Sequence, residues 1–221
     1  MTDYAAARRN MVEGQLRTNK VTDRRLLDAL SEISRERFVP PAQRGVAYVD
    51  EDLPIGQGRF LMEPMVLARL VQLAAIDPGD RVLDIGPGSG YSSAVLARLA
   101  GRVVALESDP SLAEAAKRNL AELGIGNVQV VTGNLAGGYP KEAPYQAILL
   151  NGAVERVPPA IVEQLAEGGR LVGVVGPSQG AAGIGRATLM QRVSGTASSR
   201  IAFDAAVAPL PGFQAEPGFV F

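Results

Sequence analysis

The 221-residue sequence contains no cysteine and no histidine. Without cysteine there are no disulfides, thiolate metal sites or thiol nucleophiles. Without histidine there is no Ser-His-Asp hydrolysis, no imidazole base and little prospect of a zinc enzyme, so no metal site is expected. Chemistry must therefore rest on carboxylates, hydroxyls, amides, lysine and arginine. A run of about 18 apolar residues is also missing, so no membrane span is expected. Residues 1–10 are polar and charged, unlike a secretory signal, and a cytoplasmic location is the default expectation. Charge of one sign is lacking too. The 22 basic and 23 acidic residues leave a net charge of −1, without the strong basic field of a nucleic-acid binder. A hydrophobic content of 47% supplies a substantial core.

What is present is concentrated between residues 82 and 107. Val82-Leu83-Asp84-Ile85 runs into Gly86-Pro87-Gly88-Ser89-Gly90, and a helical pattern follows. Glycines at the end of a parallel strand let the backbone approach a ligand that a Cβ would exclude. The next strand ends at Glu107, placed to accept hydrogen bonds from ribose hydroxyls. A dinucleotide fingerprint would place a third glycine at position 91, where Tyr91 stands, and no Gly-Lys-Ser/Thr phosphate loop occurs. The glycines are spaced by two, and Asp84 lies just before them. A carboxylate there suits the partly cationic amino-acid end of S-adenosyl-L-methionine better than it suits a pyrophosphate.

The pattern along the chain is α/β. Residues 3–18 and 22–34 read as helices, the second with Thr22 as N-cap and an apolar stripe of Leu26, Leu27, Leu30 and Ile33. Two short extended pieces fall within 41–62. A helix opens at Glu63-Pro64, with Leu67, Leu70, Val71 and Ala74 as its buried face. Strands are expected at 81–85, 103–107, 128–132, 147–150 and 171–175, and helices at 92–99, 111–123 and near 159–165. This alternation predicts a parallel sheet covered on both faces. Residues 187–193 and 200–208 would form a closing antiparallel hairpin around Ser194-Gly195-Thr196-Ala197. Residues 1–62 read as a helical extension to a cofactor-binding domain over 63–221, the two making one unit. Ligands of such sheets bind outside the carboxyl ends of the strands, which puts Asp84, the glycines, Glu107, Asn134 and Asn151 on one rim. Phe213, Phe219 and Phe221 are expected to cover the sheet.

The chain resembles the protein-L-isoaspartate O-methyltransferases over nearly its whole length. The resemblance rests on Met11-Val12-Glu13-Gly14-Gln15-Leu16-Arg17, Arg37-Phe38-Val39-Pro40, Ala47-Tyr48 and Leu53-Pro54-Ile55-Gly56-Gln57-Gly58. It continues through Pro158-Pro159-Ala160, Glu163-Gln164-Leu165 and Glu167-Gly168-Gly169-Arg170-Leu171-Val172. It implies a Rossmann-like seven-stranded methyltransferase sheet with a helical N-terminal addition. It implies S-adenosyl-L-methionine as cofactor and methylation of isoaspartyl carboxylates in damaged proteins or peptides, a repair reaction. Gly86, Gly88 and Gly90 would line the cofactor's amino-acid end, Glu107 would hold the ribose, and Gly133-Asn134-Leu135 would lie near the adenine. Met62 stands where the family carries a serine that holds the substrate. Arg59 lies where an acidic substrate would enter, although an exposed loop cation is its plainer reading. Asn134, Gln146 and Asn151 also depart from the family pattern, around the pocket, which leaves open another acceptor or a protein that binds cofactor without turnover.

Overall fold

The computed structural model describes residues 3–176 and 183–214. Its centre is a seven-stranded sheet in the order β5-β4-β3-β6-β7-β8-β9. The strands are β3 (Arg81–Ile85), β4 (Arg102–Glu107), β5 (Val128–Thr132), β6 (Tyr145–Val154), β7 (Leu165–Val175), β8 (Gly185–Val193) and β9 (Thr196–Ala205). β3 through β7 run parallel; β8 and β9 are antiparallel. The chain winds outward from β3 to β5, then returns to lay β6 on the other side of β3. That reversal opens a crevice at the carboxyl end of β3, where doubly wound sheets take their ligands.

Side-chain alternation divides the core into two faces. Val82, Val103, Ala147, Leu149 and Val172 pack on one face with α2 (Arg24–Glu32), α3 (Pro64–Ala74), α4 (Tyr91–Leu99) and α5 (Pro110–Glu122). Leu83, Ile85, Val104, Leu106, Ile148 and Leu150 pack on the other with Ile161 of the one-turn helix α6 (Pro159–Val162) and with Leu135, Leu210 and Phe213. The second face is thus covered by short turns and a C-terminal segment more than by helix. Phe213 is buried there as expected; Phe219 and Phe221 lie outside the described residues.

The N-terminal region shares the first face's core through Met11, Leu16, Leu26, Leu27, Leu30 and Ile33. Arg25 donates to the carbonyls of Ile76 and Leu99, so one cation ties α2 to the chain just beyond α3 and to the last turn of α4. The Leu99 carbonyl is one of those a helix C-terminus leaves without an intrahelical partner. The β1–β2 hairpin (Leu53–Gly56, Arg59–Leu61) stands apart from the main sheet.

Several boundaries differ from the sequence reading. The first helix is regular only over α1 (Tyr4–Asn10); Met11–Leu16 is a π-helix and Arg17–Asn19 a 3-10 turn. Asp23, not Thr22, caps α2, its carboxylate accepting the Leu26 N–H at 3.1 Å. The helix expected near 159–165 ends at Val162, because Leu165 pairs with Tyr145 and already belongs to β7. The closing hairpin turns on Ser194 and Gly195 alone, both at positive φ (52° and 76°), so Thr196 and Ala197 belong to β9. Two successive positive-φ residues fit the tight turn whose twist matches that of the flanking strands.

Candidate active site

β3 carries Asp84 near its carboxyl end and, two residues on, runs into the turn that begins at Gly86. Asp84 is fully buried on the helix-covered face. Its Oδ2 accepts from Ser92 Oγ and Ser93 Oγ, both at 2.6 Å, and its Oδ1 lies 3.4 Å from Asn151 Nδ2. Asn151, at the rim end of β6, also donates to Ser92 Oγ. Burial pushes the Asp84 carboxyl up to about 6, against the pull of these hydrogen bonds. The side chain thus binds the first turn of α4 to β3 and presents no open surface. The pair Ser92-Ser93 escaped the sequence reading; its only signal was two hydroxyls on a buried helix face directly after the glycines.

The glycine turn is shaped for close approach. Gly88 has φ 59°, and a Cβ there would lie 2.4 Å from Ile55 Cδ1. Gly90 has φ 98° and abuts α5, where a Cβ would fall 3.0 Å from Ala116 Cβ. Substitution at either position meets both backbone strain and crowding. Tyr91, which replaces the third glycine of a dinucleotide loop, is buried edge-on against Phe38 with ring centroids 5.4 Å apart. The Arg35 guanidinium lies 4.9 Å from the centre of the same ring. Fully buried, Arg35 donates to the carbonyls of Ala47 and Met62, each at 2.7 Å. It thereby fastens the N-terminal region to the start of α4; desolvation lowers its pKa.

Glu107 closes β4 with its side chain buried, facing the turn. Oε2 accepts the Gly88 N–H at 2.9 Å, and Oε1 accepts the Ser108 and Asp109 N–H groups at 2.7 and 3.1 Å. Arg59 Nη1 lies 2.6 Å from Oε1, and Arg59 Nη2 donates to the Gly86 carbonyl at 2.9 Å. Arg59 is 5% exposed. Its reading as an exposed loop cation is therefore corrected: β2 turns it inward, onto the carboxylate at the end of β4. Nothing in the local sequence around either residue signals this pairing.

The remaining sequence candidates fall in different places. Leu135 is buried, and its Cδ1 would be 3.7 Å from a Cβ at Gly86, which brings the 133–135 turn beside the loop. Asn134 is exposed and accepts the Ala136 N–H at 3.1 Å, capping a 3-10 turn. Met62 is buried in the helix-side core. Gln146 does not belong to the pocket: it accepts the Arg81 N–H at 2.9 Å, at the amino end of β3, the opposite end of the strands from Gly86. Over the crevice, Asp52 joins two covering segments by accepting the N–H groups of Glu63 and Ala208, at 2.8 and 2.6 Å.

A glycine turn at the switch point of a parallel sheet, faced by a buried acid at the end of the adjacent strand, defines a Rossmann-like nucleoside-binding domain. Residues 7–203 match the family model described as protein-L-isoaspartate(D-aspartate) O-methyltransferase. The chain is 47% identical to protein-L-isoaspartate O-methyltransferase 2 of Anaeromyxobacter sp. (strain Fw109-5) over 77% of its own length and 70% of the relative's. It is 48% identical to the protein-L-isoaspartate O-methyltransferase of Aeropyrum pernix, over 78% and 68% of the two chains. A solved protein-L-isoaspartate O-methyltransferase superposes with a TM-score of 0.79 at 29% identity, covering 93% of this chain and 66% of that one. A beta-aspartate methyltransferase from Plasmodium falciparum, in complex with S-adenosyl-L-homocysteine, superposes with a TM-score of 0.76 over 95% and 99%. At 19% identity it shares the fold. The chain belongs to the protein-L-isoaspartate(D-aspartate) O-methyltransferase family.

Proposed function

We propose that the protein is an S-adenosylmethionine-dependent methyltransferase acting on the free carboxylate of L-isoaspartyl residues in damaged proteins and peptides. The observation that carries this reading is the extent of the family match. It takes in both the generic glycine turn and the upstream hairpin, residues 53–61, that lies over it. A net charge of −1, with 22 basic and 23 acidic residues, favours a protein or peptide partner over nucleic acid. Among the described residues no helix is long and apolar enough to cross a membrane.

The residues present fit the cofactor. Glu107 Oε2 accepts only the Gly88 N–H, leaving acceptor capacity for a sugar hydroxyl, and the glycine turn beside it is covered by the side chain of Ile55, whose Cδ1 lies 2.4 Å from where a Cβ on Gly88 would be. When bound, the cofactor supplies the methyl group, carried on a sulfonium. Glu107 would hold the ribose, Gly86, Gly88 and Gly90 the amino-acid end, and Asn134 the adenine side. Asp84 acts through Ser92 and Ser93 as a positioning residue that fixes the turn. The acceptor carboxylate is ionised at neutral pH, its ordinary pKa being about 4, so no protein base has to activate it. The absence of histidine and cysteine is thus no obstacle. The chain's task is alignment and exclusion of water. Met62, buried with its carbonyl held by Arg35, would stand on the acceptor side, where its thioether offers no hydrogen-bond donor.

Incubation with methyl-labelled S-adenosylmethionine tests the reading. An L-isoaspartyl peptide is expected to gain base-labile label, and the same peptide with ordinary aspartate is not. Equal labelling of both, or of neither, contradicts the assignment of acceptor.

A further inference from the structure

The β1–β2 hairpin alternates buried and exposed positions: Leu53, Ile55, Arg59 and Leu61 point inward, while Pro54 and Phe60 point outward. Arg59 is the one charged residue on that inward side. A buried guanidinium requires partners, and it finds them in Glu107 and the Gly86 carbonyl. These are the residues to which the proposed function assigns the cofactor. Counting acceptors on Glu107 exposes a conflict. Oε1 already receives Arg59, the Ser108 N–H, the Ser108 hydroxyl at 3.2 Å and the Asp109 N–H, whereas Oε2 receives the Gly88 N–H alone. A ribose diol donates two hydrogen bonds, and a carboxylate holds a diol best through both oxygens. One of them is taken by the chain's own cation.

The cover over the turn reinforces the conflict. A Cβ built on Gly86 would lie 2.8 Å from Arg59 Nη2 and 2.5 Å from Leu210 Cδ2. Room left by the glycine is thus used by the chain's own side chains. The hairpin tip, by contrast, is free. Gly56, Gln57 and Gly58 all have positive φ (95°, 55° and 67°), and a Cβ on either glycine would meet nothing within 4 Å.

We propose that Arg59 is an intramolecular competitor for the cofactor carboxylate: its guanidinium must leave Glu107 before the ribose can bind there, and the residue thereby sets cofactor affinity. The proposal rests on the assignment of Glu107 to the ribose. Removing Arg59 then has effects of opposite sign. The ligand-free protein loses a buried ion-pair partner and melts lower, while the binding-competent state no longer has to be released. If Arg59 leaves Glu107 exposed to ligand about a tenth of the time, the apparent affinity is reduced about tenfold. A residue that only supported the fold would lower stability and affinity together.

Titration calorimetry with S-adenosyl-L-homocysteine on wild type, Arg59→Gln and Arg59→Met separates these cases, with circular dichroism confirming the fold and thermal melts recorded without ligand. The expected result is binding about tenfold or more tighter in both variants, together with a lower melting temperature. Unchanged or weaker binding by a folded variant overturns the role of Arg59 and leaves the cofactor site standing. Binding by none of the three proteins overturns the cofactor assignment, and the competition with it. A crystal structure of the wild type with the same ligand needs no variant. Arg59 withdrawn from Glu107 supports the proposal; the ion pair intact beside a bound ribose overturns it.

Discussion

At the scale of single residues, the site is held by groups that satisfy one another before any ligand is considered. Asp84 is the clearest case. Both hydroxyls of Ser92 and Ser93 converge on one of its oxygens, so the carboxylate works as a buried staple between β3 and α4. Replacing Asp84 by alanine removes two charge-assisted hydrogen bonds, leaving the buried Ser93 hydroxyl without its acceptor and Ser92 with Asn151 alone. Relief of the charge's own desolvation offsets part of this. The net cost is expected to be about 2 kcal/mol, read as a lower urea midpoint with an unchanged slope. No loss of stability would mean that α4 is seated by packing alone. The acid was legible in the sequence because it directly precedes the glycines. Its serine partners were not, because a helix places residues eight and nine positions away on the same buried face without any marker.

At the scale of elements, the start of α3 gathers several carboxylates. Asp52 accepts the Glu63 N–H and Asp50 the Met65 N–H, so two carboxylates cap a helix that opens with proline. Negative charge at a helix N-terminus is favourable. A third carboxylate, Glu63, makes no capping hydrogen bond. Burial, then the neighbouring charges of Asp50 and Asp52, push it up to about 7 from 4.5. The folded state therefore keeps this proton to a higher pH than the unfolded chain. Its stabilising effect is complete below about pH 4.5 and is lost as pH rises to about 7. Glu63→Gln should match wild type near pH 4 and exceed it at pH 8, by about 1 kcal/mol once the half-exposure of the group is allowed for. Urea unfolding across that range is the measurement; a variant less stable than wild type at pH 8 would contradict the account. The same junction shows the reach of patterning. Pro64 and the apolar stripe of α3 announced the helix, but the capping carboxylates come from a loop more than ten residues upstream, where only the fold can bring them.

At the scale of the whole molecule, the sheet was readable because each βαβ unit carries its own period. The strands 81–85 and 128–132 coincide with the structure to the residue. β6 and β7 run longer than expected, because register shifts let residues beyond the apolar runs keep pairing. The rim followed from topology: a strand's carboxyl end fixes where its last side chain goes, so Glu107 reached the glycine turn as the spacing implied. The cover over that rim did not follow. Arg59 is 48 residues from Glu107, and a lone arginine between two short strands carries no sign of its partner. Gln146 shows the converse, a departure from the family pattern that the topology sends to the amino ends of the strands, away from the rim.

The central claim is that the buried carboxylate beside the glycine turn holds the cofactor's sugar. Equilibrium titration of S-adenosyl-L-homocysteine into wild type and Glu107→Ala, both shown to be folded, tests it most directly. Loss of two hydrogen bonds to a charged acceptor, together about 3 kcal/mol, offset by the roughly tenfold cost of releasing Arg59 that this variant no longer bears, should weaken binding at least about 10-fold. Affinity within about twofold of wild type, a difference of roughly 0.4 kcal/mol, would contradict the assignment of the crevice to this cofactor.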